Sequence, residues 1–143
     1  MEELKKIDGL FIKEMHRYGV PLLRVALGIV FLWFGALKIF GVSPVGPMIA
    51  ATYSVFPYHA FMLVLGIWEV VIGFGLLYKI ALRATLALLW LQMAGTLLAV
   101  LLAPHLFFHG KNIFLLTTEG EFVIKNLVLI AAGVVIGGFE VRD

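Results

Sequence analysis

Four apolar stretches, each about as long as a membrane-crossing helix, constrain this chain more than any other feature of its sequence. A helix needs roughly 20 apolar residues to cross the hydrocarbon core of a bilayer. The four stretches cover about residues 20–40, 58–78, 82–103 and 122–139. Hydrophobic residues make up 62% of the chain and charged residues 14%, too much apolar surface for a soluble fold of this size. The sequence therefore predicts one all-α domain over residues 1–143, an integral membrane four-helix bundle surrounded by the lipid bilayer.

Residues 1–19 differ in character from the stretches that follow. Leu4, Ile7, Phe11 and Met15 recur at helical spacing between charged side chains. Such a pattern is typical of an amphipathic helix that lies on the membrane surface. The alternative is a loosely ordered tail, and the sequence leaves both interpretations open.

The connections between the apolar stretches predict how the helices are arranged. Residues 79–81 are so few that the second and third helices should form an antiparallel hairpin. The other two connections, residues 41–57 and 104–121, are long. Residues 48–56 in the first of them are apolar but too few to cross a membrane, so we expect a short helix or cap at the interface.

The basic residues predict the orientation of the bundle, because they concentrate on the cytoplasmic side of membrane proteins. Eight lie in the N-terminal segment, the tight turn, the adjoining helix ends or the C-terminus, namely Lys5, Lys6, Lys13, Arg17, Arg24, Lys79, Arg83 and Arg142. The other three, Lys38, Lys111 and Lys125, lie on the opposite side. We therefore expect a multi-pass protein of the plasma (inner) membrane with both termini in the cytoplasm.

Several classes of site are not expected in this chain. The sequence has no cysteine, which excludes disulfides, thiolate metal sites and iron–sulfur clusters formed by this chain alone. The net charge is +2, and the basic residues form no dense run of the kind that binds nucleic acid. His105 and His109 have the spacing of a helical metal-binding pair, but Pro104 and Gly110 around them disfavour a helix. We expect no metal or haem site and no nucleic-acid partner.

Polar side chains inside the apolar stretches form the candidate site. At a rise of 1.5 Å per residue, Glu69 lies roughly 14–16 Å from either membrane face, and Gln92 has a similar depth. Arg24 begins about 6 Å inside the cytoplasmic edge, and a long side chain could reach toward Glu69. We therefore expect Arg24, Glu69 and Gln92 to form a cluster. Nearer the outer edge we expect Lys38, Lys125 and Asn126.

Glycines accompany these polar residues at helical spacing. Gly66 and Gly73 lie on the same stripe as Glu69, and Gly28 and Gly35 lie on the stripe of the first helix that carries its charges. Small residues allow membrane helices to approach closely. These stripes should therefore face the interior of the bundle.

Glu69 has two interpretations. An ionisable side chain at the bilayer centre is costly and marks a functional site by default; here it would bind a proton, a cationic substrate or a quinone oxygen. Alternatively, Glu69 forms an ion pair with Arg24 that only fixes helix packing. In the same structural interpretation, Arg24 and Lys38 anchor the first helix at the membrane interface, and Gln92 forms a hydrogen bond between helices.

Three short motifs resemble a known family. Leu27-Gly28 followed by Phe31-Leu32, Gly35 and Lys38 resembles the first-helix pattern of the DoxX-like family of small four-helix membrane proteins. Gly66-Ile67-Trp68-Glu69-Val70-Val71-Ile72-Gly73 resembles the second-helix pattern of that family. Gly120-Glu121-Phe122-Val123-Ile124-Lys125-Asn126-Leu127 is similar to the fourth-helix start of its uncharacterised branch. The resemblance covers about residues 23–138.

The resemblance implies a DoxX-like bundle in the plasma membrane. Members of the family are linked to quinone-dependent oxidation of sulfur compounds and to membrane complexes that handle oxidative stress, and most have no assigned activity. We therefore expect an accessory membrane subunit of a quinone-linked redox complex. The sequence does not identify its cofactor, for which a quinone is the candidate, and leaves open a homo-oligomer or a partner redox subunit. The first alternative is a small transporter or proton-coupled permease, which four helices would support only as a homo-oligomer. The second is a structural or assembly partner without chemistry, so the sequence does not decide whether the protein is an enzyme.

Overall fold

The computed structural model of the protein describes residues 1–142 and is built of helices joined by loops. The helices are α1 (Glu2–Ile39), α2 (Gly46–Thr52), α3 (Tyr58–Tyr78), α4 (Leu82–Leu102), α5 (Thr118–Ile124) and α6 (Asn126–Glu140), with a 3-10 turn at Pro104–Leu106. Four helical segments are long and apolar enough to cross a membrane, namely α1, α3, α4 and the combined segment Thr118–Glu140. The prediction of an all-α protein with four such helices is confirmed.

The four long segments alternate in direction. Gly28 of α1 lies against Gly73 of α3, and Gly35 lies against Gly66, so residue numbers rise along α1 as they fall along α3. The same reversal relates α4 to α3 and α6 to α4. One end of the bundle therefore carries the turn between α3 and α4 together with the end of α6, and we call it the turn end. The opposite end carries residues 40–57 and 103–117, and we call it the loop end.

Two apolar clusters form the interior. The larger one joins α1, α3, α4 and α6, and its most deeply buried side chains are Ile72, Leu76, Leu86, Leu89 and Ile136. The smaller one lies at the loop end, where Ala99, Ala103, Phe107 and Val123 pack together. In a membrane the lipid-facing side chains stay outside these clusters, which explains why many large apolar residues are exposed on the bundle surface.

Glycines bring α1 and α3 into backbone contact. A Cβ atom added at Gly35 would lie 2.6 Å from the carbonyl oxygen of Gly66, and one added at Gly73 would lie 2.7 Å from the amide nitrogen of Leu32. No side chain fits at these distances, so the close approach requires glycine at these positions. The stripes of small residues in the sequence therefore mark the tightest helix–helix contact in the bundle.

The N-terminal segment is not a separate element. Residues 2–19 continue directly into the membrane-crossing part of α1 through Gly19 and Pro21, which lies inside the helix. At 1.5 Å per residue, the 38 residues of α1 extend over about 57 Å. Residues 1–19 project beyond the turn end, and nearly all of their side chains are exposed.

The fourth predicted helix is divided into two parts. It begins at Thr118, four residues before the predicted start, where the Thr117 hydroxyl accepts a hydrogen bond of 3.0 Å from the Gly120 amide. A break at Lys125 separates α5 from α6. Because neither proline nor glycine occurs at the break, the sequence carries no ordinary signal for it.

Candidate functional site

Five polar or charged side chains are buried inside the bundle, and each demands an explanation in an apolar environment. They are Arg24, Lys38, Glu69, Thr85 and Asn126. Thr85 donates a hydrogen bond to the carbonyl oxygen of Ile80 and belongs to the turn between α3 and α4. Lys38 and Glu69 belong to one group and Arg24 to another at a different level of the bundle, while Asn126 stands apart from both.

Lys38, Glu69 and Gln92 form the first group, which we call the polar triad. The Lys38 ammonium donates to Glu69 Oε2 at 2.8 Å, and the Gln92 side-chain amide donates to Glu69 Oε1 at 2.5 Å. The triad joins three helices, because its members come from α1, α3 and α4. Both carboxylate oxygens of Glu69 are therefore engaged, one by a cation and one by a neutral amide.

The glycine contacts position the triad. Gly35 precedes Lys38 by one helical turn and Gly66 precedes Glu69 by one turn, and these two glycines lie against each other. Side chains on a helix lean toward its N-terminus. Because α1 and α3 are antiparallel, Lys38 and Glu69 lean toward each other and meet at the level of the glycine contact.

Beside the triad lies a cavity of about 540 Å³ with mostly apolar walls. The size falls within the range of roughly 300–1,000 Å³ that is usual for small-molecule sites. Apolar lining residues come from α1 (Val30, Phe31, Phe34), α2 (Met48, Ile49), α3 (Phe61, Leu65, Trp68), α4 (Leu91, Met93, Ala99) and α6 (Leu129). All three members of the triad line the same cavity.

Helix α2 covers the loop end of the cavity, as expected for a short apolar helix between two long ones. The Tyr53 hydroxyl at its end donates to the carbonyl oxygen of Gly95 on α4 at 2.5 Å. Burial raises the pKa of Tyr53, so the phenol stays protonated and keeps this bond. The Tyr53 ring also packs against Phe61 of α3.

Lys125 and Asn126 reach the cavity from the junction of α5 and α6. Asn126 is only 6% exposed, and within residues 1–142 its side chain makes no hydrogen bond. Lys125 is exposed, and no acidic side chain of the described residues forms an ion pair with it. The structure thus brings five of the six expected site residues to one cavity, namely Lys38, Glu69, Gln92, Lys125 and Asn126.

Arg24 belongs to a second group near the turn end, and the predicted Arg24–Glu69 pair is wrong. Arg24 Nε lies 2.6 Å from Glu140 Oε2, and Lys79 Nζ lies 3.2 Å from Glu140 Oε1. The Arg24 guanidinium also donates to the carbonyl oxygens of Leu76 and Leu77 at the end of α3. We call the side chains of Arg24, Lys79 and Glu140 the turn-end cluster.

The antiparallel register explains why Arg24 and Glu69 do not meet. With Gly28 opposite Gly73 and Gly35 opposite Gly66, Glu69 is level with residue 32 of α1. Arg24 is eight residues from that level, about 12 Å along the helix axis. Both side chains also lean away from each other, because each points toward the N-terminus of its own helix.

Glu140 is the important residue that the sequence reasoning missed. It continues the spacing of Asn126, Gly133 and Gly137 along one stripe of the fourth helix, and this stripe faces the bundle. That pattern was a usable signal for a buried carboxylate.

No group of three or more His, Cys, Asp or Glu side chains that could hold a metal ion comes together anywhere in residues 1–142.

Together, the fold and the site define a multi-pass helical membrane protein with a ligand-sized cavity and a buried polar triad. Comparison of the chain with protein-family models, with curated proteins and with solved structures finds no match. The membership of the DoxX-like family thus stays a prediction, and the geometry of the cavity carries the functional argument.

Proposed function

We propose that this chain is a DoxX-like accessory membrane subunit of a quinone-linked redox complex and that it binds quinone in the cavity. In this proposal the protein lies in the plasma membrane with both termini in the cytoplasm. The observation that carries the proposal is the presence of the Lys38–Glu69–Gln92 triad in the wall of a mostly apolar cavity of about 540 Å³.

The donors in the cavity fit the chemistry of a quinone. Its ring and tail are apolar, and its carbonyl oxygens accept hydrogen bonds. The Lys38 ammonium has three N–H groups and the Gln92 amide has two, but Glu69 accepts only one bond from each. Donors therefore remain for a carbonyl oxygen beside the triad. Phe31, Phe34 and Trp68 supply flat apolar surfaces that a ring can pack against.

The triad also fits the proton chemistry of the ligand. A quinone, when bound, would carry two electrons and two protons. Lys38 and Glu69 form a hydrogen-bonded acid–base pair, and such a pair can hold a proton at Nζ or at Oε2. A partner redox subunit delivers the electrons in this arrangement.

The cavity supports ligand binding better than transport. The interior between the cavity and the turn end is filled by apolar side chains that are almost fully buried, namely Ile72, Leu76, Leu86 and Leu89. A permease would need a second access route through this cluster. The arrangement favours a binding site that is reached from one side.

The proposal is tested on protein extracted with its own lipids. We expect native mass spectrometry and absorption spectra to detect a quinone at about one molecule per chain in the wild type and almost none in Glu69→Gln. Glu140→Gln is the matched control, because it also removes the charge of a buried paired carboxylate but lies outside the cavity. A wild type without quinone, or equal loss in the two variants, would contradict the proposal.

A further inference from the structure

Asn126 is the buried side chain of the cavity that lacks a partner. Thr52, Tyr53 and Thr96 line the same cavity, and each hydroxyl donates to a backbone carbonyl oxygen. Lys38 and Gln92 each donate one hydrogen bond to Glu69. Asn126 is as deeply buried as Lys38 and Glu69, but its amide makes no hydrogen bond within residues 1–142.

An unpaired buried amide costs free energy, and more than about 90% of buried polar groups in proteins have a hydrogen-bond partner. The protein itself supplies no partner to the Asn126 amide, and both polar atoms of that amide remain accessible from the cavity that Asn126 lines. Whatever occupies the cavity is therefore the partner available to it. The observation points to a ligand with a polar atom on this side.

Asn126 and Glu69 reach the cavity from opposite corners of the bundle. Helix α6 packs against α1 and α4, and so does α3, which places α3 and α6 diagonally across from each other. Glu69 and Asn126 therefore lie in different walls of the cavity, and Lys38 of α1 and Gln92 of α4 enter from the two helices that separate those walls.

We propose that Asn126 is a second polar anchor, so that the site selects a ligand with hydrogen-bonding groups at both ends of its ring. This inference rests on the proposed function and names its ligand as a 1,4-dione or the corresponding diol, not a molecule with a single carbonyl. The amide suits both forms, because Nδ2 donates to a carbonyl oxygen and Oδ1 accepts from a hydroxyl. Asn126 is thus a specificity-determining residue for the ligand end that the triad does not hold.

The test compares two probes on purified protein by calorimetry, with titrations into empty micelles subtracted. The probes are 2-methyl-1,4-naphthoquinone, which has two opposed carbonyls, and 2-methyl-1-tetralone, which has one. For Asn126→Leu, of similar volume, we expect the affinity for the dione to fall roughly fivefold to tenfold, as for the loss of one hydrogen bond. The affinity for the single ketone should change less than twofold.

Asn126→Ala is a second variant, which replaces Asn126→Leu in the test should leucine disturb the junction of α5 and α6. It should show the same difference between the two probes. Equal loss for both probes, or no loss for the dione, would overturn the inference while leaving the proposed function intact. A wild type that binds neither probe would overturn both.

Discussion

Each buried charge of this bundle is neutralised by a charge on another helix. Lys38 of α1 pairs with Glu69 of α3, and Arg24 of α1 pairs with Glu140 of α6. Replacing a buried ion pair with apolar residues is often tolerated, whereas removing one partner leaves an uncompensated charge. The two pairs thus have similar structural roles, and only the Lys38–Glu69 pair lines the cavity.

This difference predicts the behaviour of variants at Lys38. Lys38→Met leaves Glu69 without its cation in an apolar environment, so the free energy of unfolding should fall by roughly 3–5 kcal/mol. The double variant Lys38→Met/Glu69→Leu removes both charges and should recover most of that loss. Unfolding in a denaturing detergent titration measures both values. A single variant as stable as the wild type would show that the pair is not buried.

Sequence reasoning found five polar residues that line the cavity and correctly joined Glu69 to Gln92, but it paired Glu69 with Arg24 instead of Lys38. The depth of each residue follows from its position in an apolar stretch, so Glu69 and Gln92 could be placed at the same level. The pairing depends on the register of α1 against α3 and on the lean of each side chain toward its helix N-terminus. The direction in which each side chain points follows from the sequence and favours Lys38 as the partner of Glu69. The register of α1 against α3 does not follow from the sequence, because only the packed glycines define it.

At the scale of single helices, the α1–α3 contact predicts a strong effect of small substitutions. Gly35→Ala would place a methyl group 2.6 Å from the Gly66 carbonyl oxygen and 2.8 Å from the Val70 amide nitrogen, so the helices must separate. We expect the free energy of unfolding to fall by about 1–3 kcal/mol, as for overpacked cores. Gly138→Ala is the control, because nothing lies within 4 Å of the added atom. The ratio of the two effects in thermal unfolding is the informative quantity, and equal effects would argue against the close contact.

The burial of Tyr53 at the end of α2 leads us to expect that the stability of the protein depends on pH. Burial raises the pKa of Tyr53 above its ordinary value near 10. The folded protein then holds the phenolic proton more tightly than the unfolded chain does. The stabilisation is complete below the unfolded pKa and is lost as pH rises through the folded pKa.

The free energy of unfolding of the wild type should therefore decrease more steeply above about pH 10 than that of Tyr53→Phe. The comparison between the two proteins cancels the titration of the other tyrosines and of the lysines. Tyr53→Phe also loses the hydrogen bond to Gly95 that ties α2 to α4. Parallel stability curves for the two proteins over this pH range would contradict the role assigned to Tyr53.

For the whole molecule, the apolar stretches were enough to predict four membrane-crossing helices and their order. The apolar length of a span is a local property, so it can be read from a window of sequence. The break at Lys125 and the cavity beside it are not local, because they arise from packing of α5 and α6 against α1 and α4. Gly19 and Pro21 usually mark the end of a helix, so the sequence did not predict that α1 continues through both.

The orientation of the bundle in the membrane is the last prediction, and the absence of cysteine makes it simple to test. Lys13 and Lys111 are both exposed, Lys13 on the extension beyond the turn end and Lys111 at the loop end. With eight basic residues at or near the turn end and three toward the loop end, we expect the turn end to face the cytoplasm. In intact cells a membrane-impermeant maleimide should label Lys111→Cys and should label Lys13→Cys only after permeabilisation. The reverse pattern would place the cavity and its Lys38–Glu69 pair toward the cytoplasm, and the ligand would then have to reach the site from that side.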